Sequence, residues 1–274
     1  MVEMFNQGFV MNALAISLIM GLLLSYLGVH VVGRGIVFVD LALGQISMLG
    51  VAVAMLFEKE PTIISIVFTM VGALGLSLIN IKDKRLKQEA IIGIIYAVAT
   101  AATVLFISKS PHGEADITDV LFGSLFTVTI GKIIRIAVVF GLIGLLHLIF
   151  RKEFFGLTES YENKANGKIE VFNLWNFLFY LSIGLAIVLA VREGGVIPVF
   201  SYLIIPAVSA IMLVKSNWAV VSIALIISLL GGFFGVMFAV QFDFPAGSSI
   251  VAVLGGIFAL VSLLRIIKNA TIKN

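Results

Sequence analysis

GRGIVFVDLALGQISMLG, residues 33–50, sets one arginine and one aspartate inside a stretch otherwise apolar enough to lie in a membrane. Asp40 decides how it is read. A carboxylate in hydrocarbon costs several kcal/mol unless it faces protein or water, so at that depth it marks a functional site by default. Two readings stay open: Asp40 pairs with Arg34 or a helix end, or it lies on or near a transport route. Ser47 falls on the same helical face as Asp40, seven residues on, while Gln45 points elsewhere. Asp40, Gln45 and Ser47 are therefore the candidate translocation residues.

The surrounding composition fits a membrane setting. The chain has 274 residues, 61% of them hydrophobic and 12% charged, against about 25% charged in a soluble domain. Its mean hydropathy is +1.17. Without an extended polar region, residues 1–274 read as a single transmembrane domain. No cleavable leader is expected, because the first apolar run is too long and lacks a basic flank in front. The absence of cysteine excludes disulfides, thiolate metal ligands and thiol chemistry. A net charge of +3 reflects basic loops and indicates no affinity for nucleic acid; the expected surroundings are membrane lipid.

A helix needs about 20 apolar residues to cross a bilayer. Spans are expected near 8–30, 36–57, 61–80, 89–108, 130–150, 171–191, 195–214, 217–239 and 247–267. The fold class is thus all-α, a polytopic transmembrane bundle of about nine spans, with eight possible if one segment is re-entrant. With the N-terminus outside, the inner segments hold Arg34, Lys82, Lys84, Arg85, Lys87, Arg151, Lys152, Lys164, Lys168, Lys215, Arg265, Lys268 and Lys273. Only Lys59, Lys109, Lys132, Arg135 and Arg192 then lie outside. That asymmetry places the N-terminus outside and the C-terminus inside.

Two loops stand out. SPHGEADITDV (110–120) carries His112, Glu114, Asp116 and Asp119; it is either a solvated connector or an outer, cation-attracting docking surface. Its histidine and Glu114 are too few for a metal cage. RKEFFGLTESYENKANGKIE (151–170) is the longest polar stretch. Thr158 is placed to start a short helix and Gly167 to end one; the alternative is a plain linker. Small residues at four-residue spacing, Gly93, Ala97 and Ala101 in one span and Gly231 and Gly235 in another, predict close helix approach. Pro206, with Pro198 near the outer end, invites a kink or break, so its span is expected to be bent, short, or both.

Chemistry of other kinds is missing. There is no GxxxxGK[ST] loop for ATP and no HExxH pair for zinc hydrolysis. The histidines of the spans, His30 and His147, sit near inner ends and read as helix-end and interfacial residues, which leaves no serine–histidine pair. The chain does not read as an enzyme.

The run GVHVVGRGIVFVDLALGQISMLG (28–50) resembles the second-helix region of permease subunits from ATP-binding-cassette importers for zinc, manganese and iron. The likeness continues in QEAIIGIIYAVATAATVLFISKSPHGEADITDVLFGSL (88–125), in LWNFLFYLSIGLAIVLAVREGGVIPVFSYLIIPAVSAIMLV (174–214) and in FDFPAGSSIVAVLGG (242–256). It implies a fold related to the cobalamin and siderophore permeases without their first helix. It also implies a permease homodimer in the inner (plasma) membrane, a cytoplasmic ATPase subunit that uses the ATP, and an extracytoplasmic solute-binding protein. No cofactor is expected on this chain.

In that family the cytoplasmic loop after the fifth span holds the helix that docks into the ATPase. Here this is 151–170, with the helix expected near Leu157–Ala165 and Leu157, Thr158, Glu159, Tyr161 and Glu162 as coupling residues. The family's Asp-x-Glu-x-x-Ala pattern is not clearly present. Zinc and manganese members also carry an aspartate and a histidine four residues apart on the second helix. Aligned on Gly50, those positions hold Leu41 and Gln45, and Asp40 is displaced by one residue, about 100° around a helix. Either the ion passes with weaker protein contacts or the cargo is not a bare metal ion, and the metal ligands stay unassigned. A rival reading is a secondary transporter driven by an ion gradient, a class marked by internal repeats and paired broken helices.

Overall fold

The computed structural model describes residues 8–79, 87–108, 125–162 and 173–273. Its helices are α1 (Gly8–Arg34), α2 (Val39–Leu56), α3 (Pro61–Leu78), α4 (Gln88–Ile107), α5 (Ile130–Ile149), α6 (Arg151–Glu162), α7 (Leu174–Gly194), α8 (Val196–Leu213), α9 (Asn217–Phe242) and α10 (Ala246–Lys273), with a 3-10 turn at Leu125–Thr127. Among the described residues there is no strand, and nine helices, all but α6, are long and apolar enough to cross a membrane. The chain is a multi-pass membrane protein, in keeping with about nine spans. Contacts group it into two compact units: Met1–Val32, Phe122–Gly141 and Glu193–Asn274 form the first, Gly33–Leu121 and Leu142–Arg192 the second.

In the first unit α8, α9 and α10 pack on one another. Glycine sets the spacing of α1 against α8 and of α9 against α10. A Cβ on Gly28 would collide with the carbonyl of Leu203, and one on Gly235 would sit 2.5 Å from Ile250 Cα. Close approach of this kind replaces the hydrophobic drive that is absent between helices in lipid. Ser17 and Tyr202 share a buried hydrogen bond of 2.6 Å, which satisfies both hydroxyls away from water. Gly195, at φ +82°, makes the turn into α8 in a region where side chains are penalised.

The span that holds Pro206 is short, 18 residues, as expected, but it is not broken. Helix α8 runs unbroken from Val196 to Leu213 with Pro206 inside it and buried. Proline removes one amide bond, to the carbonyl of Tyr202, and the bonded turns on either side carry the helix across the gap.

In the second unit α2 lies against both α3 and α4. Gly50 brings α2 close to α3, since a Cβ there would stand 2.8 Å from Ser65 Cα. Glu60 caps α3 by accepting the Ile63 amide at 2.9 Å, with Pro61 in the first turn. Hydrogen bonds from Thr62 and Ile63 hold its carboxyl below the usual range. The other predicted stripe of small residues meets no neighbour among the described residues. A Cβ on Gly93 would meet nothing within 4 Å, and Ala97 and Ala101 are exposed. Spacing puts residues on one face of a helix but does not say what that face meets.

Candidate functional site

Helix α6 begins directly after α5 rather than at Thr158. It covers Arg151–Glu162, so the helix expected at Leu157–Ala165 starts six residues earlier, and residues 163–170 lie outside the described residues. The shift has a local cause. Phe154 and Thr158 are buried, Phe155, Leu157 and Tyr161 are half-buried, and Arg151, Lys152, Glu153, Glu159 and Ser160 are exposed. That is one apolar stripe at helical spacing with a charged opposite face, and it opens with the phenylalanines, not with the threonine. Thr158 is therefore an interior residue, its hydroxyl donating to the Phe154 carbonyl at 3.0 Å.

Three aromatic contacts seat the buried face. The Phe154 ring stacks on His147 with centroids 3.9 Å apart and planes within 6°. It meets Trp175 edge-on at 5.8 Å, and Phe150 meets Trp175 at 5.0 Å. His147, read from the sequence as interfacial, is fully buried here.

Arg34 is the residue that sequence reasoning placed without giving it this role. It ends α1 and is 7% exposed. Its Nε donates to Thr158 Oγ1 of α6 at 3.2 Å, and its Nη1 donates to Asn176 Oδ1 of α7 at 3.4 Å. The guanidinium lies 3.7 Å above the Phe179 ring and 5.8 Å from that of Tyr161. A desolvated cation–π contact contributes about 2 kcal/mol, and hydrogen bonds to a charged donor about 1.5–3 kcal/mol each. Burial pushes the Tyr161 phenol above its ordinary range, and the Arg34 charge opposes that shift. Asn176 also donates to the Ser77 carbonyl at the end of α3, at 3.3 Å, and Gln88 at the start of α4 donates to Tyr180 of α7 at 2.8 Å. Ends of α1, α5 and α7 thus meet α6, and the ends of α3 and α4 are tied in turn to α7. The only sequence hint was one arginine at a span end among glycines, a pattern that ordinarily marks an interface anchor.

Asp40 lies in the first turn of α2 and is 3% exposed. The helix dipole favours a carboxylate at that end, which answers to the helix-end reading. Its Oδ1 is buried and has no hydrogen-bond partner among the described residues. Arg34 is committed to α6 and α7 instead. Ser47 and Gln45 are buried on the same helix, whereas Leu41 is half-exposed. Among the described residues no three His, Cys, Asp or Glu side chains gather into a metal cluster. What α2 supplies is one buried carboxylate with uncommitted hydrogen-bonding capacity and two neutral polar groups. His112, Glu114, Asp116 and Asp119 lie outside the described residues.

The model of the ABC 3 transport family matches residues 6–265. The chain belongs to that family. The ABC 3 chain is thus a membrane-spanning transport permease, as the resemblance implied. It is 22% identical to the manganese transport system membrane protein MntC of Halalkalibacterium halodurans, over 94% of this chain and 88% of that one. It is 26% identical to the high-affinity zinc uptake system membrane protein ZnuB of Haemophilus influenzae, over 90% and 94%. Its fold is similar to a solved structure of PsaBC from Streptococcus pneumoniae in complex with Fab, with a TM-score of 0.77 and 23% identity over 93% of this chain and 91% of that one.

Proposed function

We propose that this ABC 3 permease moves a divalent transition metal (zinc, manganese or iron) inward by alternating access, driven by a separate ATPase. The observation that carries the coupling half is α6. It is a short amphipathic helix with a charged outer face, Arg151, Lys152, Glu153 and Glu159, seated by its inner face on the ends of the spans. An ATPase subunit docked on the outer face is the partner that burns ATP; this chain binds none and catalyses no reaction. Leu157, Thr158, Glu159, Tyr161 and Glu162 form the coupling segment, the first two and Tyr161 on the inner side.

The remaining parts follow from the resemblance. The N-terminus lies outside and the C-terminus inside, in the inner (plasma) membrane. A binding protein delivers cargo at the outer surface, with His112, Glu114, Asp116 and Asp119 as its docking loop, and two copies of the chain frame the route. The apolar faces left exposed, such as Ile63, Val67, Val71 and Leu74 along α3, meet lipid.

Asp40, Gln45 and Ser47 line the route in this reading. A site that must release its cargo inward cannot hold it too tightly, and a lone carboxylate meets that requirement. The same sparseness supports a second reading, in which the permease carries a chelated metal or a non-metal cargo. Metal-by-metal uptake into vesicles holding permease, ATPase and binding protein separates the two. Accumulation of one first-row ion, lowered about tenfold by Asp40→Asn, is expected for the first reading. If every such ion stays outside, the metal assignment fails. Uptake that survives ATP depletion and collapses with the ion gradient identifies a secondary transporter instead.

A further inference from the structure

We propose that Arg34 makes the end of α1 and helix α6 one rigid body, so that a displacement of α6 is delivered through the Gly35 turn to the start of α2, where Asp40 lies. The inference rests on α6 being the coupling helix. Four observations carry it. Thr158 is used on both sides, accepting from Arg34 and donating to the Phe154 carbonyl, so its hydroxyl is fixed in direction. Arg34 at the same time grips Asn176 and covers the Phe179 ring, and a buried planar cation held by a fork of donors has few alternative seats. The adjacent backbone is close, since a Cβ on Gly33 would stand 2.7 Å from Thr158 Cγ2. Lastly, the connection to α2 is short and hydrogen-bonded. Gly35 turns at φ +67°, then the Val39 amide donates to the Ile36 carbonyl and the Ala42 amide to the Phe38 carbonyl, each at 3.0 Å.

A push on α6 therefore cannot be absorbed at the α1–α6 contact. It turns the end of α1, and the tied connector passes that turn to the residues around Asp40. Rigid-body transfer through packed elements is an ordinary route for switching. Arg34 acts here as a positioning residue: it touches α6 and α7, not the cargo.

Two measurements on the permease–ATPase complex in vesicles test the idea. The chain has no cysteine of its own, so Gly33→Cys combined with Thr158→Cys introduces a single pair whose oxidation staples α1 to α6. If the two move as one, the stapled form takes up at least as much as the same protein after reduction, in which the Thr158 hydroxyl that Arg34 addresses is missing. Uptake lost on oxidation and restored by reductant would show that the contact has to open, and would overturn the proposal. In the second measurement Arg34→Gln is expected to keep the ATPase bound while cargo moved per ATP hydrolysed falls about tenfold, with Arg34→Lys intermediate. An unchanged ratio overturns the proposal. A merely structural loss lowers hydrolysis and uptake together, which overturns it as well. Should Arg34→Gln not insert, the stapled pair, in which a covalent bond stands in for the Arg34–Thr158 hydrogen bond, still decides whether α1 and α6 move as one. A wild-type permease that does not retain the ATPase removes the coupling reading itself, an outcome distinct from either failure of Arg34.

Discussion

In the first unit helices meet where glycine lets one backbone lie on another. In the second, beside one such seam at Gly50, the ends of five spans and α6 are tied by one guanidinium, two amides and a ring stack. The glycine contacts are steric and indifferent to chemistry, so any added carbon offends them equally. The Arg34 contacts are directional, and they depend on which atoms are present more than on how much space is filled. A seam of the first kind has one arrangement and suits a scaffold. A cluster of the second kind joins several elements at one point, which suits the place where force enters.

The sharpest way to break this contrast is Gly28→Val. Its Cβ would meet the Leu203 carbonyl, a backbone atom that cannot rotate away. Overpacking of a tight core costs about 1–3 kcal/mol and more where the backbone must move. The variant should be lost from the monodisperse, detergent-solubilised fraction. A folded, monodisperse Gly28→Val protein would mean that the seam yields, and the contrast would be gone.

Phe154→Ala comes next. It empties a fully buried ring site between His147 and Trp175, a loss of about 3–5 kcal/mol where the cavity cannot collapse. Thermal melting should fall clearly and ATPase retention with it. Unaltered retention would show that α6 is not held by its aromatic face.

Thr158→Val keeps the shape of the side chain and removes the oxygen that Arg34 addresses. A buried charged donor left without that acceptor costs about 1–3 kcal/mol. The expected result is a smaller melting shift than for Phe154→Ala, with transport per ATP reduced. A transport ratio equal to wild type would make the cluster structural only. At the small end, Gly93→Ala meets open space, and alanine is the better helix former by about 1 kcal/mol. Unchanged or slightly raised melting is expected, and a marked loss would restore the stripe at 93, 97 and 101 as a packed seam.

Much of this molecule could be read before its structure. The nine spans were legible because the bilayer makes hydropathy a local property: about 20 apolar residues state their own fate whatever their neighbours do. Asp40 stood out for the same reason, since a carboxylate within an apolar span is costly unless protein or water receives it. The polar stretch at 151–162 was legible as special but not as a helix beginning at Arg151. Its signal was the apolar stripe from Phe154, and threonine looked the better helix start.

Other features were decided elsewhere. Two stripes of small residues looked alike, yet Gly231 and Gly235 lie against Leu254 and Ile250 while Gly93 meets none of the described residues. Pro206 looked like a break, yet the helix continues through it. Arg34 looked like a partner for Asp40 or one more inner charge, and only the arrival of Thr158, Asn176 and Phe179 from residues more than a hundred positions away made it the centre of a cluster. Membrane burial depends on each segment's own composition, and the sequence determines it alone. Which face of a helix meets which partner depends on segments distant in the chain, and that was settled by tertiary packing.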